Sequence, residues 1–191
     1  SEVEEMSIWA QVNLWKIHRN GTLDDTANIR PFTKEPTGLG FDPATGRLFI
    51  SDDSARRIFI VLPGNDGKYG TSDDVRTSFS TTTFGNSDPE DVAFATATGE
   101  LFTADGLGAE IYRISPGPNG TFEGTGDDVI THFDVSALGE QDAEGLGYHP
   151  DRNTLLVPDG RSTTTMIEVS LGGTLLTTID ISSAQAKHPE D

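Results

Sequence analysis

The chain has 191 residues, with 31 Asp and Glu against 13 Lys and Arg, a formal charge of -18 at pH 7. Nucleic-acid phosphates need Lys and Arg for neutralisation, so this balance argues against nucleic acid and equally against an anionic membrane surface; it favours solubility, cation binding or a salty, calcium-rich medium. Cysteine is absent, so no disulfide holds the fold and no thiol does chemistry. No apolar run approaches the roughly 18 residues of a membrane span. No signal-peptide pattern is visible, and the Ser1-Glu-Val-Glu-Glu5 start reads as a processed or trimmed N-terminus. The 21 Gly, 10 Pro and 34% hydrophobic residues suit a thin-layered β fold with many turns.

Residues 1–34 read as the tail of a repeat unit. Asn13-Leu-Trp-Lys-Ile17 alternates apolar and polar side chains, the period-two sign of a half-buried strand, and matches Glu110-Ile-Tyr-Arg-Ile114. Asn20-Gly21 follows as a turn, and a second strand is predicted around Ala27 to Phe32. The second unit, 35–87, predicts strands at Leu39–Phe41, Leu48–Ser51, Ile58–Leu62 and Val75–Phe79, with Asp42-Pro-Ala-Thr-Gly46 as a hairpin turn. The third, 88–141, predicts Val92–Phe94, Leu101–Thr103, Ile111–Ile114 and Val129–Phe133. The fourth, 142–187, predicts Leu146–Tyr148, Leu155–Val157, Met166–Val169 and Leu175–Ile179, then one short turn over Ala184 to Lys187. His188-Pro-Glu-Asp191 begins another copy.

The units are one motif repeated. Phe41, Phe94 and Tyr148 each stand eleven residues before Asp52, Asp105 and Asp159, and the copies recur every 46 to 54 residues. Four short antiparallel strands at such a period predict an all-β fold, a β-propeller of four-stranded blades. One such sheet cannot bury both its faces, and stacked neighbours bury them mutually. The chain is expected to be one propeller domain or segment, with three full blades and a partial one. Three closures stay open: a piece of a longer propeller, a ring completed by two chains, or four blades closing alone; the first two are favoured.

Propeller geometry turns this spacing into location. The loop entering the first strand of each blade and the loop between its second and third strands open on one face. The first carries Glu35, then Asp88, Glu90 and Asp91, then Asp142 and Glu144; the second carries Asp52 and Asp53, then Asp105, then Asp159. Asp52, Glu90, Asp105, Glu144 and Asp159 are therefore candidates for metal or ligand binding at a channel mouth. Hard oxygen donors select Ca²⁺ or Mg²⁺ over zinc. The alternative is that Asp52, Asp105 and Asp159 cap turns by accepting backbone N–H groups. A second feature joins the third and fourth strands: Pro63-Gly-Asn-Asp-Gly-Lys-Tyr-Gly-Thr-Ser-Asp-Asp-Val75 is echoed by Pro116-Gly-Pro-Asn-Gly-Thr-Phe-Glu-Gly-Thr-Gly-Asp-Asp-Val129. Asp66, Asp73 and Asp74 in one loop, and Asn119, Asp127 and Asp128 in the other, are candidate Ca²⁺ ligands, with an Asx-rich hairpin and no metal as the alternative. The bidentate Glu of an EF-hand is missing. No Gly-x-Ser-x-Gly elbow, phosphate-binding P-loop or His-Glu-x-x-His motif is present.

Gln141-Asp-Ala-Glu-Gly-Leu-Gly-Tyr148 followed by Asn153-Thr-Leu-Leu-Val-Pro-Asp159 resembles the blade motif of a propeller group that includes β-propeller phytases, esterase-like phytase domains and the SdiA-regulated family. Their blades open with Glu-Gly-Leu and continue to a Leu-x-Val-x-Asp/Glu strand. Glu90-Asp91 departs at the Gly, and the first copy reads Pro36-Thr37-Gly38. The resemblance implies calcium ions at an acidic mouth, with Glu144, Asp159, Glu90 and Asp105 as ligands. The phytases' basic phosphate clamp has no counterpart motif around Arg56, Arg57 or Arg161. Two functions are expected from this. The first is a calcium-binding propeller module of an exported protein (secreted, periplasmic or at the cell surface) that binds a small molecule, glycan or protein. The second is a Ca²⁺-dependent phosphoesterase or esterase-like hydrolase working at the mouth. Neither involves nucleic acid or membrane insertion, and a homodimer or the remainder of a larger propeller is the expected assembly.

Overall fold

Fixed by alternation of side chains and by turn chemistry, the strands of this computed structural model fall almost where the periodicity puts them; the structure describes residues 12–161 and 164–185. β1 (Leu14–Ile17) and β2 (Leu23–Ala27) pair as a two-stranded antiparallel sheet. The first four-stranded sheet holds β3 (Pro36–Asp42), β4 (Arg47–Asp52), β5 (Arg57–Leu62) and β6 (Val75–Ser80). The second holds β7 (Pro89–Ala95), β8 (Glu100–Asp105), β9 (Glu110–Ser115) and β10 (Val129–Asp134). The third holds β11 (Gly147–His149), β12 (Thr154–Pro158), β13 (Thr165–Ser170) and β14 (Leu175–Asp180). Each is a meander with its strands in chain order. The turn from first to second strand needs one left-handed residue, supplied by Gly46 (φ 76°), Gly99 (φ 73°) and Asn153 (φ 53°) in turn.

Two expectations are corrected. The second strand of the first unit is Leu23–Ala27, not Ala27 to Phe32. Asparagine side chains capture the backbone there instead: Asn13 Oδ1 accepts Ile29 N–H and Asn28 Oδ1 accepts Arg30 N–H, bending the chain out of the ladder. The third inner strand begins at Gly147 rather than Leu146, because the Leu146 N–H is donated to Asp91 Oδ2 at 2.6 Å. Short 3₁₀ turns at Thr81–Phe84, Ser136–Leu138 and Ser182–Ala184 follow the outer strands. Trp9, residues 186 and 187 of the predicted last turn, and the His188 copy lie outside the described residues. Among the described residues no helix is long and apolar enough to cross a membrane.

The sheets stack face to face, and the second is buried on both sides. Along β7, Val92 and Phe94 pack toward the first sheet with Phe49, Ile58, Ile60, Leu101 and Ile114. Ala93 and Ala95 pack the opposite way, with Leu155, Val157, Ile167 and Val169 of the third sheet. Each such buried Val, Leu, Ile or Phe contributes about 1.5–3 kcal/mol. Glycines set the closeness of the inner strands. A Cβ at Gly40 would lie 3.1 Å from the Val92 carbonyl oxygen, and one at Gly38 would collide with Asp91.

The two long hairpin loops act as latches. Tyr69 packs against the cluster of Ile29, Leu48, Ile50 and Val61, and its hydroxyl donates to the Gly46 carbonyl at 2.7 Å. Phe122, at the same place in the second loop, drops into the seam between first and second sheets, 5.5 Å edge-on to Phe49, which stacks on Phe94 at 5.5 Å. The fourth unit has only Leu171-Gly-Gly-Thr174 here. Phe122→Ala is expected to lower the unfolding free energy by about 3 kcal/mol. Urea denaturation measures it, and a loss well under this would show that the loop does not hold the seam.

Candidate functional site

Three aspartates set the mouth. Asp52 Oδ2 accepts Lys34 N–H (2.6 Å) and its Oδ1 accepts Ala55 N–H (2.8 Å). Asp105 accepts Ser87 N–H and Gly108 N–H (3.4 and 3.2 Å), and Asp159 accepts Gln141 N–H and Arg161 N–H (3.1 and 2.9 Å). In all three the long bond spans 18 residues and the short one closes the turn in which the aspartate lies. All three side chains are buried. The structure thus gives Asp52, Asp105 and Asp159 the turn-capping role, and each staples the entry of its blade to the turn between second and third strands.

The carboxylates that come together stand beside these staples. Asp53, Asp88 and Glu90 form, among the described residues, the one group of three acidic, His or Cys side chains whose ligand atoms all lie within 4.8 Å of one another. Glu90 sits where the β7 register breaks between Pro89 and Val92, a bulge that turns its side chain out of the ladder. Asp88 Oδ2 also accepts Leu107 N–H at 2.9 Å. Gly106 makes the room, because a Cβ there would lie 2.9 Å from Glu90 Cγ and 3.2 Å from Asp88 Oδ2. Gly160 does the same for Glu144 in the next unit, where Asp142 is paired with Arg161 at 2.9 Å. In the second unit the pattern is exchanged: Asp53 stands where the later units have Gly106 and Gly160, and Thr37 where they have Glu90 and Glu144.

Burial and repulsion disfavour the charged forms of Glu90 and Asp53. Glu90 is pushed up to about 8, first by burial and then by the charges of Glu144, Asp88 and Asp53. Asp53 is raised to about 6 by burial, by its hydrogen bond with Asp88 and by Glu35. A cation fits this donor set. The donors are all hard oxygen, and their mutual separations, all within 4.8 Å, do not exceed the reach of oxygens around one Ca²⁺ ion with its roughly 2.3–2.6 Å bonds. No His or Cys is present to favour zinc.

The hairpin-loop residues have other roles. Asp74 Oδ2 accepts Gly70 and Thr71 N–H groups, and Asp128 Oδ2 accepts those of Glu123 and Gly124. Asp66 accepts Lys68 N–H, Asp73 accepts the Thr71 hydroxyl, and Asn119 accepts Thr121 N–H while donating to Asp127. Neither loop brings three carboxylates within 4.8 Å. Sequence reasoning passed over Glu140, which is 2% exposed. The same position in the earlier units holds Thr33, donating to Ile29 O, and Asn86, donating to Ala104 O. Glu140 Oε2 has no partner, and burial with the neighbouring Asp159 raises it to about 7. The signal was there to read: an acid at a position where its counterparts donate.

The fold these sheets define is a β-propeller. A chain of the nidogen/laminin complex superposes with a TM-score of 0.60 at 19% identity, covering 87% of this chain and 56% of its own length. A Lactobacillus plantarum protein gives 0.56 at 17%, over 86% and 50%. A Bacteroides uniformis protein carrying a provisional 6-phosphogluconolactonase name gives 0.54 at 16%, over 93% and 52%. The chain thus spans about half the length of these structures. No family model and no curated protein matches it.

Glu140 makes the stability of the fold depend on pH. Its folded-state carboxyl holds a proton to a higher pH than it does unfolded, so its contribution to stability is lost as pH rises from the ordinary glutamate range through about 7. Thermal midpoints across this window should fall less steeply in Glu140→Gln than in the parent. Identical slopes would show that Glu140 is ionised in the fold.

Proposed function

We propose that this protein is a calcium-binding propeller module whose acidic mouth binds ligand for an exported protein. The observation that carries the reading is the convergence of Asp53, Asp88 and Glu90 around the space left by Gly106. Three acids from two blades bring their ligand atoms within 4.8 Å of one another, and a divalent cation would relieve both their repulsion and the cost of their burial. The net charge of -18 suits a calcium-rich exterior, and the cation would leave coordination positions for an oxygen-bearing ligand. The ligand-binding reading is supported by a propeller neighbour from a protein–protein complex, nidogen/laminin, although the likeness in itself is one of fold.

A second reading is a Ca²⁺-dependent phosphoesterase or esterase-like hydrolase of the phytase-like kind. It is favoured by Glu90, which holds a proton up to about 8 beside the candidate cation ligands and so is poised for acid–base work near neutrality. Metal-dependent turnover of 4-nitrophenyl phosphate that is lost in Glu90→Gln would establish it; turnover indifferent to that substitution would remove the mouth as its site.

The binding reading is tested by thermal unfolding after chelation. Ca²⁺ at 100 times its dissociation constant should stabilise by about 2.7 kcal/mol. Mg²⁺ should do less, and Asp53→Asn with Glu90→Gln should abolish the response. Bound cation displaces the protons held by Asp53 to about 6 and Glu90 to about 8, so affinity should rise across that interval, with proton release seen by calorimetry in buffers of different ionisation enthalpy. A midpoint that neither ion moves overturns the proposal.

A further inference from the structure

The long hairpin loops arch back over the outer strands of the preceding sheet, and each arch encloses a cleft. The two clefts are equivalent by register. Lys16 pairs with Asp25 in the first and Ile60 with Thr77 in the second, and Lys68 of one loop corresponds to Thr121 of the other. They differ in content. The first measures about 20 Å³, because Lys68 extends across it to Asp25 at 3.5 Å. The second measures about 350 Å³, because the lysine is replaced by threonine and the acid by Thr77. Phe122 still closes its inner end, and Glu123, an insertion relative to the first loop, joins its wall. One copy of the architecture fills this space with its own side chain, and the other leaves it open at a size within the range of small-molecule sites.

The lining defines the chemistry of an occupant. Ile60, Leu62 and Val75 form an apolar floor, and Val75 is 60% exposed. Thr77 adds a hydroxyl that both donates and accepts, and Thr121 one that is held between Asn119 Oδ1 and Glu123 Oε1, while the Ser78 hydroxyl accepts from Arg57. The Arg47 charge is already matched, with Nε and Nη2 on Asp42 Oδ2 at 3.3 and 3.0 Å and the guanidinium 5.4 Å over the Phe122 ring. Glu123 Oε1 takes the Thr121 hydroxyl at 3.0 Å, a carboxylate acceptor at the rim. An apolar floor ringed by hydroxyls and a carboxylate suits a neutral ring with one C–H face and several hydroxyls. We propose that the cleft between β5, β6 and the 121–123 segment binds one sugar unit of a neutral glycan.

This site is separate from the acidic mouth and uses no cation, so it is tested with chelator present. Amide shifts of the ¹⁵N-labelled chain would be followed while methyl α-glucoside, α-galactoside and α-mannoside are added in turn, with butylamine as an alkyl-amine probe. The expected result is saturable movement of the Thr77, Ser78 and Thr121 amides by at least one glycoside. Thr77→Asp with Thr121→Lys, which rebuilds the closed cleft, should lose that movement and leave the remaining spectrum in place. If that pair does not fold, Thr121→Lys alone takes its place. Silence from all three glycosides, movement only elsewhere, movement with butylamine alone, or a response that survives the filled cleft each overturns the proposal.

Discussion

Each blade depends on one buried aspartate whose carboxylate binds two backbone amides, one within its own turn and one 18 residues upstream. A buried amide without a partner costs free energy comparable to a lost hydrogen bond, and a buried carboxylate without one costs far more. The staple removes both costs at once. It also fixes where the chain enters each inner strand, and therefore where the neighbouring acids point. The crowding of Asp53, Asp88 and Glu90 is possible because the backbone beneath them is pinned by groups that are not themselves part of the cluster.

Stacking supplies the rest. The inner strand of the second sheet presents Val92 and Phe94 to one face and Ala93 and Ala95 to the other, so its two seams differ at the inner strand. Facing the first sheet, the aromatic rings of Phe49, Phe94 and Phe122 fill the gap. Facing the third, Ala93 and Ala95 meet Leu155, Val157, Ile167 and Val169, with Phe102 and Ile111 filling the space further out. Asp91 ties all three inner strands: it lies against the bare backbone of Gly38 and accepts the Leu146 amide. A motif position that reads as a departure, Asp in place of Gly, is thus a cross-link between blades.

The fold was legible because its determinants are local. Period-two alternation, Gly or Asn at left-handed turns and a repeated spacing are all visible within a dozen residues, and the β-propeller class follows from their recurrence. The site was legible only in part, because partnership is not local. Nothing near Asp52 says that its oxygens are occupied by Lys34 and Ala55, while Asp53 beside it meets Asp88 from the next blade. The usable clue is comparative: Asp53 replaces Gly106 and Gly160, while Thr37 replaces Glu90 and Glu144. The hairpin loops were read for their Asp and Asn residues, which hold turns, whereas the aromatic shared by both, Tyr69 and Phe122, marks what the loops do.

Those aromatics point backwards along the chain. The partners of Tyr69 lie at Ile29, Leu48, Ile50 and Val61, and those of Phe122 at Phe49, Ile58, Phe79 and Phe94, all earlier in sequence. A ribosome therefore delivers each latch after the surface it must find, and no latch waits exposed for a blade not yet made. Growth of the structure can keep pace with growth of the chain, blade upon finished blade, with the leading face of the newest sheet left to wait for its neighbour.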